Sequence, residues 1–220
     1  SGSEEGVAVN SFYGIRDNGS PVSSVTSRAL PPNGQPNSIL QPQSILSESS
    51  QTIGTETSKI RITSNNSVDY SSQNGWYMDL VVGSVGPAGE RVIADPQIRT
   101  AQTSALLLFN TFVPGGSCQS VGGSSALMAI DALTGSRTSF AVFDLNNDGT
   151  IDSSDNDPSS GLAVSGRVGQ QSVSAVTVIS SGDATESYVI QSSTQSVNPT
   201  VSTVTGASTS LGRQSWRQLQ

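Results

Sequence analysis

The sequence contains no histidine and one cysteine, Cys118. Without histidine, the usual zinc sites, the Ser-His-Asp triad and the Cys-His dyad are excluded within this chain. The single thiol has no disulfide partner in the sequence, so two interpretations stay open for it. It is either a free or buried thiol, or one half of a disulfide with a cysteine outside this chain.

Charged and apolar residues are both scarce, at 12% and 34% of the chain. Ser, Thr, Gly, Asn and Gln fill most of the remainder, and strong helix formers do not dominate any long window. This composition is typical of an extracellular β-rich protein with polar loops. Ten basic residues against 17 acidic ones give a net charge of -7, which argues against a nucleic-acid partner. No apolar run approaches the roughly 20 residues that cross a bilayer, so we expect no transmembrane segment.

Short apolar or alternating segments separated by turn residues recur along the chain, which predicts an all-β sandwich, barrel or propeller. The longest apolar run, 105–113, predicts a buried central strand. Pro96 predicts a bulge or an edge in its strand. Residues from about 17 to 58 are rich in Ser, Pro, Gln and Asn, and we expect a long irregular excursion there. The predicted strands are 10–15, 59–63, 75–81, 90–99, 105–113, 125–131, 139–143, 162–164, 174–179 and 186–191.

The segment ALMAIDALTG at 126–135 favours a propeller over the other all-β folds. An apolar strand that ends in Asp-x-x-Thr-Gly is typical of the blades of quinoprotein-like propellers. Such an ending needs a tight turn, in which Asp131 accepts bonds from backbone N–H groups and Gly135 takes a positive φ.

The segment DLNNDGTIDSSD at 144–155 has the ligand spacing of an EF-hand-type calcium loop. Oxygen-bearing side chains stand at positions 1, 3, 5, 9 and 12 of the twelve-residue window, and Gly149 stands at position 6. A chain that wraps one ion directs alternate residues inward, and Gly149 can take the positive φ of the reversal. Position 7 contributes its carbonyl oxygen, and the apolar Ile151 at position 8 is expected to attach the loop to a core. We therefore predict Ca²⁺ binding, with a solvated acidic turn as the alternative.

The loop differs from a sensor EF-hand at its last position and in its flanks. Position 12 is the short Asp155 instead of a bidentate Glu, so Asp155 is either an additional ligand or not a ligand at all. A predicted strand at 139–143 precedes the loop, and a turn at 158–161 follows it. An EF-hand-like loop between strands indicates a structural ion instead of a helix-opening switch.

Four motifs, in order, resemble the C-terminal β-propeller domain of the PilY1/PilC family, the large type IV pilus tip-associated proteins. They are SFYGIRDNG at 11–19, GWYMDL at 75–80 with GERVIADP at 89–96, the stretch from Cys118 through ALTG at 132–135 into the loop at 144–152, and GRQSWR at 212–217. The resemblance covers nearly the whole chain. It implies a modified β-propeller in which residues 1–220 form the C-terminal part of the propeller domain.

The resemblance also implies a ligand set for the ion. Carried over to this sequence, the ligands are the side chains of Asp144, Asn146, Asp148 and Asp152 and the carbonyl oxygen of Thr150. Asp155 lies outside the five-residue pattern of the family.

The family resemblance implies a non-enzymatic role as a calcium-binding module of a pilus-tip adhesin and biogenesis factor. Such a protein supports pilus assembly by opposing retraction, and it contributes to adhesion and twitching motility. Its expected partners are the minor pilins of the pilus tip, the remaining N-terminal part of the same protein, and a host or abiotic surface ligand. The expected location is the cell surface at the pilus tip, reached by export through the periplasm and the outer membrane.

Three alternative functions, two enzymatic and one not, each make a different demand on the sequence. A calcium-stabilised propeller enzyme of the quinoprotein type would need Trp-rich blades or vicinal cysteines, whereas the chain has two Trp and one Cys. A glycosidase-like enzyme would need paired carboxylates, for which Asp69, Asp79, Glu90 and Asp95 are available. A dockerin module would carry two calcium loops followed by helices, and this chain has one loop between predicted strands.

Overall fold

The computed structural model describes residues 8–17, 19, 39–53, 56–83, 86–101, 104–114, 123–146, 148–169, 172–180, 185–193 and 200–207. These residues contain twelve β-strands, one 3₁₀ turn and no α-helix, so the all-β prediction is confirmed. Cys118 and the C-terminal motif with Trp216 lie outside the described residues. The strands are β1 (Ser11–Ile15), β2 (Gln41–Ile53), β3 (Glu56–Thr63), β4 (Gly75–Val82), β5 (Arg91–Val92), β6 (Gln97–Ala101), β7 (Ser104–Val113), β8 (Ser124–Asp131), β9 (Gly166–Gly169), β10 (Ser172–Ser180), β11 (Thr185–Ser193) and β12 (Thr200–Ala207), and the 3₁₀ turn is Ser153–Asp155.

Nine of the strands form one sheet in the order β1-β4-β2-β3-β9-β8-β7-β5, and β6 also pairs with β7. All neighbours are antiparallel except β2 and β4, which are parallel. The short β9 joins β3 on one side to β8 on the other. The sheet curves strongly and brings its two ends together. Phe12 of β1 stacks on Phe109 of β7, with ring centroids 4.5 Å apart. It is therefore a nearly closed, barrel-like sheet.

Strands β10, β11 and β12 form a second, antiparallel sheet. The predicted hairpin around residues 181–183 is confirmed in its two strands, which pair from Val176 with Ile190 to Ser180 with Glu186. Strand β10 lies against β7 and β8 of the large sheet. Its half-buried Val178 packs on one of the two core clusters.

Strand β7 is buried on both faces, as its continuous apolar run predicts. Leu106 and Leu108 belong to one core cluster, whereas Leu107 and Phe109 belong to the other. Successive side chains of a strand point to opposite faces, so β7 separates the two clusters and contributes to both. The prediction of a buried central strand is confirmed.

The predicted irregular excursion at 17–58 is wrong in its second part, because β2 and the start of β3 lie there. Gln43 and Ile45 of β2 are buried, while Ser44 and Leu46 between and beyond them are exposed. This is the period of two that a strand requires. The pattern is hidden in the sequence because Gln43 is polar and Leu46 is apolar. Residues 18, 20–38 and 54–55 of the excursion lie outside the described residues.

Three other predicted strands need correction. The segment 90–99 divides into β5 and β6, and Pro96, which has no N–H to donate, lies between them. Residues 139–143 and 162–164 are not strands, apart from an isolated bridge at Phe143. They are apolar because Val142, Phe143 and Val164 fill a core cluster, and burial alone does not make a strand.

The predicted turn after β8 is confirmed in detail. Asp131 Oδ1 accepts hydrogen bonds from the backbone N–H groups of Leu133 and Thr134, each at 2.9 Å. Gly135 takes the expected positive φ, at 69°. The turn also contacts β4, because the indole N–H of Trp76 donates to the carbonyl oxygen of Ala132 at 3.1 Å.

Candidate metal centre

The predicted calcium loop lies on the surface beside one of the core clusters. Phe143 and Leu145 at the start of the loop are buried in that cluster, whereas Ile151 is only half-buried and is not a member of it. Leu145, and not Ile151 as predicted, therefore attaches the loop to the core. Asn147 lies outside the described residues.

Asp144 is the buried base of the loop, with 4% of its surface exposed. Its Oδ2 atom accepts a hydrogen bond from the N–H of Gly149 at 3.1 Å. Its Oδ1 atom is buried and has no hydrogen-bond partner in the structure. A buried charged oxygen without a partner is costly, and a bound cation would remove that cost. The donor chemistry therefore fits a hard metal ion.

The rim of the loop is folded by hydrogen bonds between neighbouring residues. Gly149 has a φ of 83°, as predicted for the reversal. The Asn146 Oδ1 atom accepts from the N–H of Asp148 at 3.0 Å. The Asp148 Oδ1 atom accepts from the N–H and the hydroxyl of Thr150, at 2.8 and 2.5 Å. These bonds give the chain a compact turn at the exposed rim of the loop.

The two acidic residues of the rim are held in their charged forms. The hydroxyl of Thr150 lowers the pKa of Asp148, and the backbone N–H of Ser154 lowers the pKa of Asp152. A smaller effect has the opposite sign, because the charge of Asp148 raises the pKa of Asp152. A cation near both carboxylates would relieve that repulsion.

Asp155 has a different role from the other acidic residues of the loop. It is 1% exposed. Its Oδ1 atom accepts from the N–H groups of Leu145 and Asn146, at 2.7 and 3.2 Å, and its Oδ2 atom accepts from the N–H of Asp152 at 3.0 Å. Asp155 thus connects the beginning of the loop to its end.

The loop holds all five predicted ligands, with Asp144 at the base and Asn146, Asp148, Thr150 and Asp152 at the exposed rim. In the part of the chain that the structure describes, no three acidic side chains already converge on one point. Asp148 and Asp152 are instead directed towards N–H and hydroxyl groups of their own loop. An ion would have to draw these two carboxylates away from those partners.

Two residues near the loop were not found by sequence reasoning. Asp157 is buried and accepts from the hydroxyls of Ser159 and Ser160 and from Gln51 Nε2 at 3.0 Å, so it ties the loop exit to β2. The turn composition at 157–161 is the sequence feature that could have indicated the role of Asp157. Burial lowers the pKa of Arg167 on β9, and the charge of Asp144 offsets part of that effect. Nothing in the spacing of Arg167 indicates this proximity.

Three of the four carboxylates available for a glycosidase are engaged with other groups. Glu90 is buried and forms a bidentate ion pair with Arg61, with N–O distances of 2.5 and 3.0 Å. Asp79 accepts from the hydroxyl of Ser11 at 2.5 Å. Asp69 accepts from the hydroxyls of Ser71 and Ser72, and Asp95 is exposed. Among the described residues, Asp79 lines an open cavity of about 340 Å³, whereas another cavity of about 570 Å³ is lined by none of these acids.

Over the described ranges, the chain contains no helix with the length and apolarity needed to span a membrane.

The chain is similar to proteins of type IV pilus biogenesis. It is 30% identical over 189 residues to the type IV pilus biogenesis factor PilY1 of Pseudomonas aeruginosa, which covers 82% of this chain and 15% of the relative. It is 37% identical over 129 residues to a PilY1 homolog of Xylella fastidiosa, covering 58% of this chain and 7% of that protein. The chain therefore spans a small part of the curated relatives it matches. No protein-family model matches it.

The fold is similar to that of a solved structure from the same group. The crystal structure of the Pseudomonas aeruginosa PilY1 C-terminal domain matches with a TM-score of 0.65 and 25% identity, over 90% of this chain and 37% of that one. This match confirms the predicted propeller-type all-β fold. Sequence and structure thus agree on the same relative: the chain belongs to the PilY1 family and corresponds to part of its C-terminal domain.

Proposed function

We propose that this chain is a calcium-binding module of a type IV pilus biogenesis factor. The observation that carries the calcium part is the buried Oδ1 atom of Asp144, which has no hydrogen-bond partner. The pilus part is supported by the similarity to PilY1 proteins, which are named type IV pilus biogenesis factors.

The ligands in this proposal are the side chains of Asp144, Asn146, Asp148 and Asp152 and the carbonyl oxygen of Thr150. Five oxygens from the chain, completed by water, match the six to eight oxygens that Ca²⁺ takes. When bound, Ca²⁺ neutralises the carboxylates and fixes the loop. Asp148 and Asp152 would give up hydrogen bonds to Thr150 and Ser154, groups at the exposed rim that water can then satisfy.

The proposed consequence for the pilus is mechanical. Phe143 and Leu145 place the start of the loop in the core, and Asp157 ties its end to β2 through Gln51. A loop fixed by an ion would therefore hold the neighbouring strands in one arrangement. We propose that this arrangement favours pilus extension over retraction, and that it contributes to adhesion and twitching motility.

The location and partners follow from the same proposal. The module acts at the pilus tip on the cell surface, after export through the periplasm and outer membrane. Its partners are the minor pilins, the N-terminal part of the same protein, and a host or abiotic surface ligand. It has no catalytic role of its own, a view supported by the engagement of Glu90 with Arg61 and by the names of the relatives.

Isothermal calorimetry with Ca²⁺ tests the site, with Asp148→Ala as the variant and Asp95→Ala as the control. Both variants remove one exposed carboxylate, but only Asp148 lies in the loop. We expect saturable one-site binding by the chain and by Asp95→Ala, and its loss in Asp148→Ala. Absence of binding to the folded chain would contradict the calcium proposal. In bacteria carrying Asp148→Ala in the full-length protein, retraction that still follows the calcium concentration would contradict the mechanical part.

A further inference from the structure

We propose that Asp155 is a positioning residue of the calcium loop and not a ligand of the ion. This inference rests on the proposed calcium site and adds to it. An EF-hand uses position 12 for a Glu that binds the ion with two oxygens. In this loop the residue at position 12, Asp155, accepts hydrogen bonds from backbone N–H groups instead.

Both carboxylate oxygens of Asp155 are already engaged. They accept three hydrogen bonds from backbone N–H groups, at 2.7, 3.2 and 3.0 Å. Hydrogen bonds between a carboxylate and N–H groups are among the strong ones in proteins. If Asp155 turned towards an ion, these N–H groups would lose their acceptor, and the N–H of Leu145 lies at a buried residue. That exchange is unfavourable.

The three N–H groups belong to the residues that carry the ligands or stand next to them. Asn146 and Asp152 are predicted ligands themselves, and Leu145 follows Asp144 directly in the chain. Asp155 therefore fixes the backbone at both ends of the loop. It also closes the 3₁₀ turn Ser153–Asp155 through a capping box. The Asp152 side chain accepts from the backbone N–H of Asp155, and the Asp155 side chain accepts from the backbone N–H of Asp152. The distances between the ligand-bearing residues are thus set before an ion binds.

A positioning role predicts a specific response to substitution. A longer carboxylate at 155 would not fit the three N–H groups, although it would reach an ion better. Partners that orient metal ligands change metal affinity by about 10- to 100-fold when they are substituted. We expect Asp155→Glu to weaken Ca²⁺ binding by that factor. If Asp155 were a ligand, Asp155→Glu would bind Ca²⁺ equally well or more tightly.

The second measurement counts water on the ion. Tb³⁺ replaces Ca²⁺ in oxygen sites, and its luminescence lifetimes in H₂O and D₂O give the number of bound water molecules. At saturating Tb³⁺, Asp152→Ala should gain about one water, because a ligand is lost. Asp155→Ala should keep the number found in the unsubstituted chain. A gain of water in Asp155→Ala would overturn the proposal. If Asp155→Ala does not fold, the affinity of Asp155→Glu decides, with its fold checked by circular dichroism.

The unsubstituted chain separates this inference from the one on which it rests. If it binds neither Ca²⁺ nor Tb³⁺, the calcium site itself is wrong, and the positioning role is wrong with it. If it binds both ions and Asp155→Glu binds Ca²⁺ at least as tightly, the calcium site stands and only the role of Asp155 is overturned.

Discussion

Gly135 and Trp76 are in contact across the sheet, so closely that a Cβ atom at 135 would lie 2.2 Å from the indole ring. Gly14 approaches other atoms of the same ring, and its Cβ would lie at 2.3 Å. The ring is fixed further by the hydrogen bond from its N–H to Ala132. The Asp-x-x-Thr-Gly ending therefore has a role in packing as well as in the turn, since only a glycine at 135 leaves space for the Trp76 ring of β4.

Gly135→Ala should lower the free energy of unfolding by roughly 2–4 kcal/mol, because it adds a clash with Trp76 to an unfavourable positive φ. Gly161→Ala is the matched control. Gly161 has nearly the same φ, 68° against 69°, but nothing lies within 4 Å of its added Cβ. Urea unfolding measures both variants. Equal losses of stability would show that the contact with Trp76 contributes nothing.

Glu90→Leu should destabilise the chain by up to about 3 kcal/mol, because the buried Arg61 loses its bidentate partner and keeps only Glu48, at 3.0 Å from its Nε atom. The double variant Arg61→Met/Glu90→Leu should recover most of that loss, since it leaves no uncompensated charge at this pair. Urea unfolding of the two variants and the unsubstituted chain makes the comparison. A double variant no more stable than Glu90→Leu would contradict the explanation.

Asp157 should make the stability depend on pH in the acid range. Burial raises its pKa, but hydrogen bonds from Ser160 and Ser159 lower it by more, so the folded pKa is below the ordinary value of 3.8. A depressed carboxylate stabilises the fold above its unfolded pKa, and this contribution is lost as the pH falls through the folded pKa. Below about pH 4, the free energy of unfolding should therefore fall less steeply with falling pH in Asp157→Asn than in the unsubstituted chain. Denaturant unfolding at a series of pH values measures this slope. Asp95→Asn, at an exposed position, is the control, and an equal slope in all three proteins would refute the prediction.

Asp144→Asn should have opposite effects with and without calcium. In a chelator, it removes the charge from a buried carboxylate whose Oδ1 atom has no hydrogen-bond partner. Arg167 loses this nearby counter-charge but is only half-buried and can reach water, so the variant should unfold at an equal or higher temperature than the unsubstituted chain. In Ca²⁺ at 100 times the dissociation constant, binding stabilises the unsubstituted chain by about 2.7 kcal/mol, and the variant should lose most of this gain. Scanning calorimetry in both media shows the reversal. A variant that is equally destabilised in both media would argue for a purely structural Asp144.

Much of the fold could be predicted where local pattern and tertiary structure agree. The continuous apolar run of β7 and the turn from Asp131 to Gly135 were found because their chemistry lies in adjacent residues. Strand β2 was missed because its buried Gln43 bonds to Ser64, Asn66 and Thr134, residues far along the chain. Residues 139–143 were assigned to a strand because a buried segment and a strand have the same apolar composition.

In the candidate site, too, the features set by adjacent residues could be predicted from the sequence, and those set by distant residues could not. The spacing of oxygen-bearing residues and the position of Gly149 gave the loop from sequence alone. The role of Asp155 depends on which N–H groups its two oxygens meet, and Arg167 lies near Asp144 in a strand that is placed by its pairing with β3 and β8. Relationships of this kind are set by strand pairing, which a single sequence does not reveal.

The position of β9 affects the order in which the large sheet can form. β9 is the last of the nine strands to be made, yet it stands in the middle of the sheet between β3 and β8. Lys59 pairs with Val168, more than a hundred residues later. Until β9 pairs with them, β3 and β8 have no partner along one edge, and such edges invite wrong pairing. The four residues of β9 join two half-sheets, and the calcium loop is the segment made just before them.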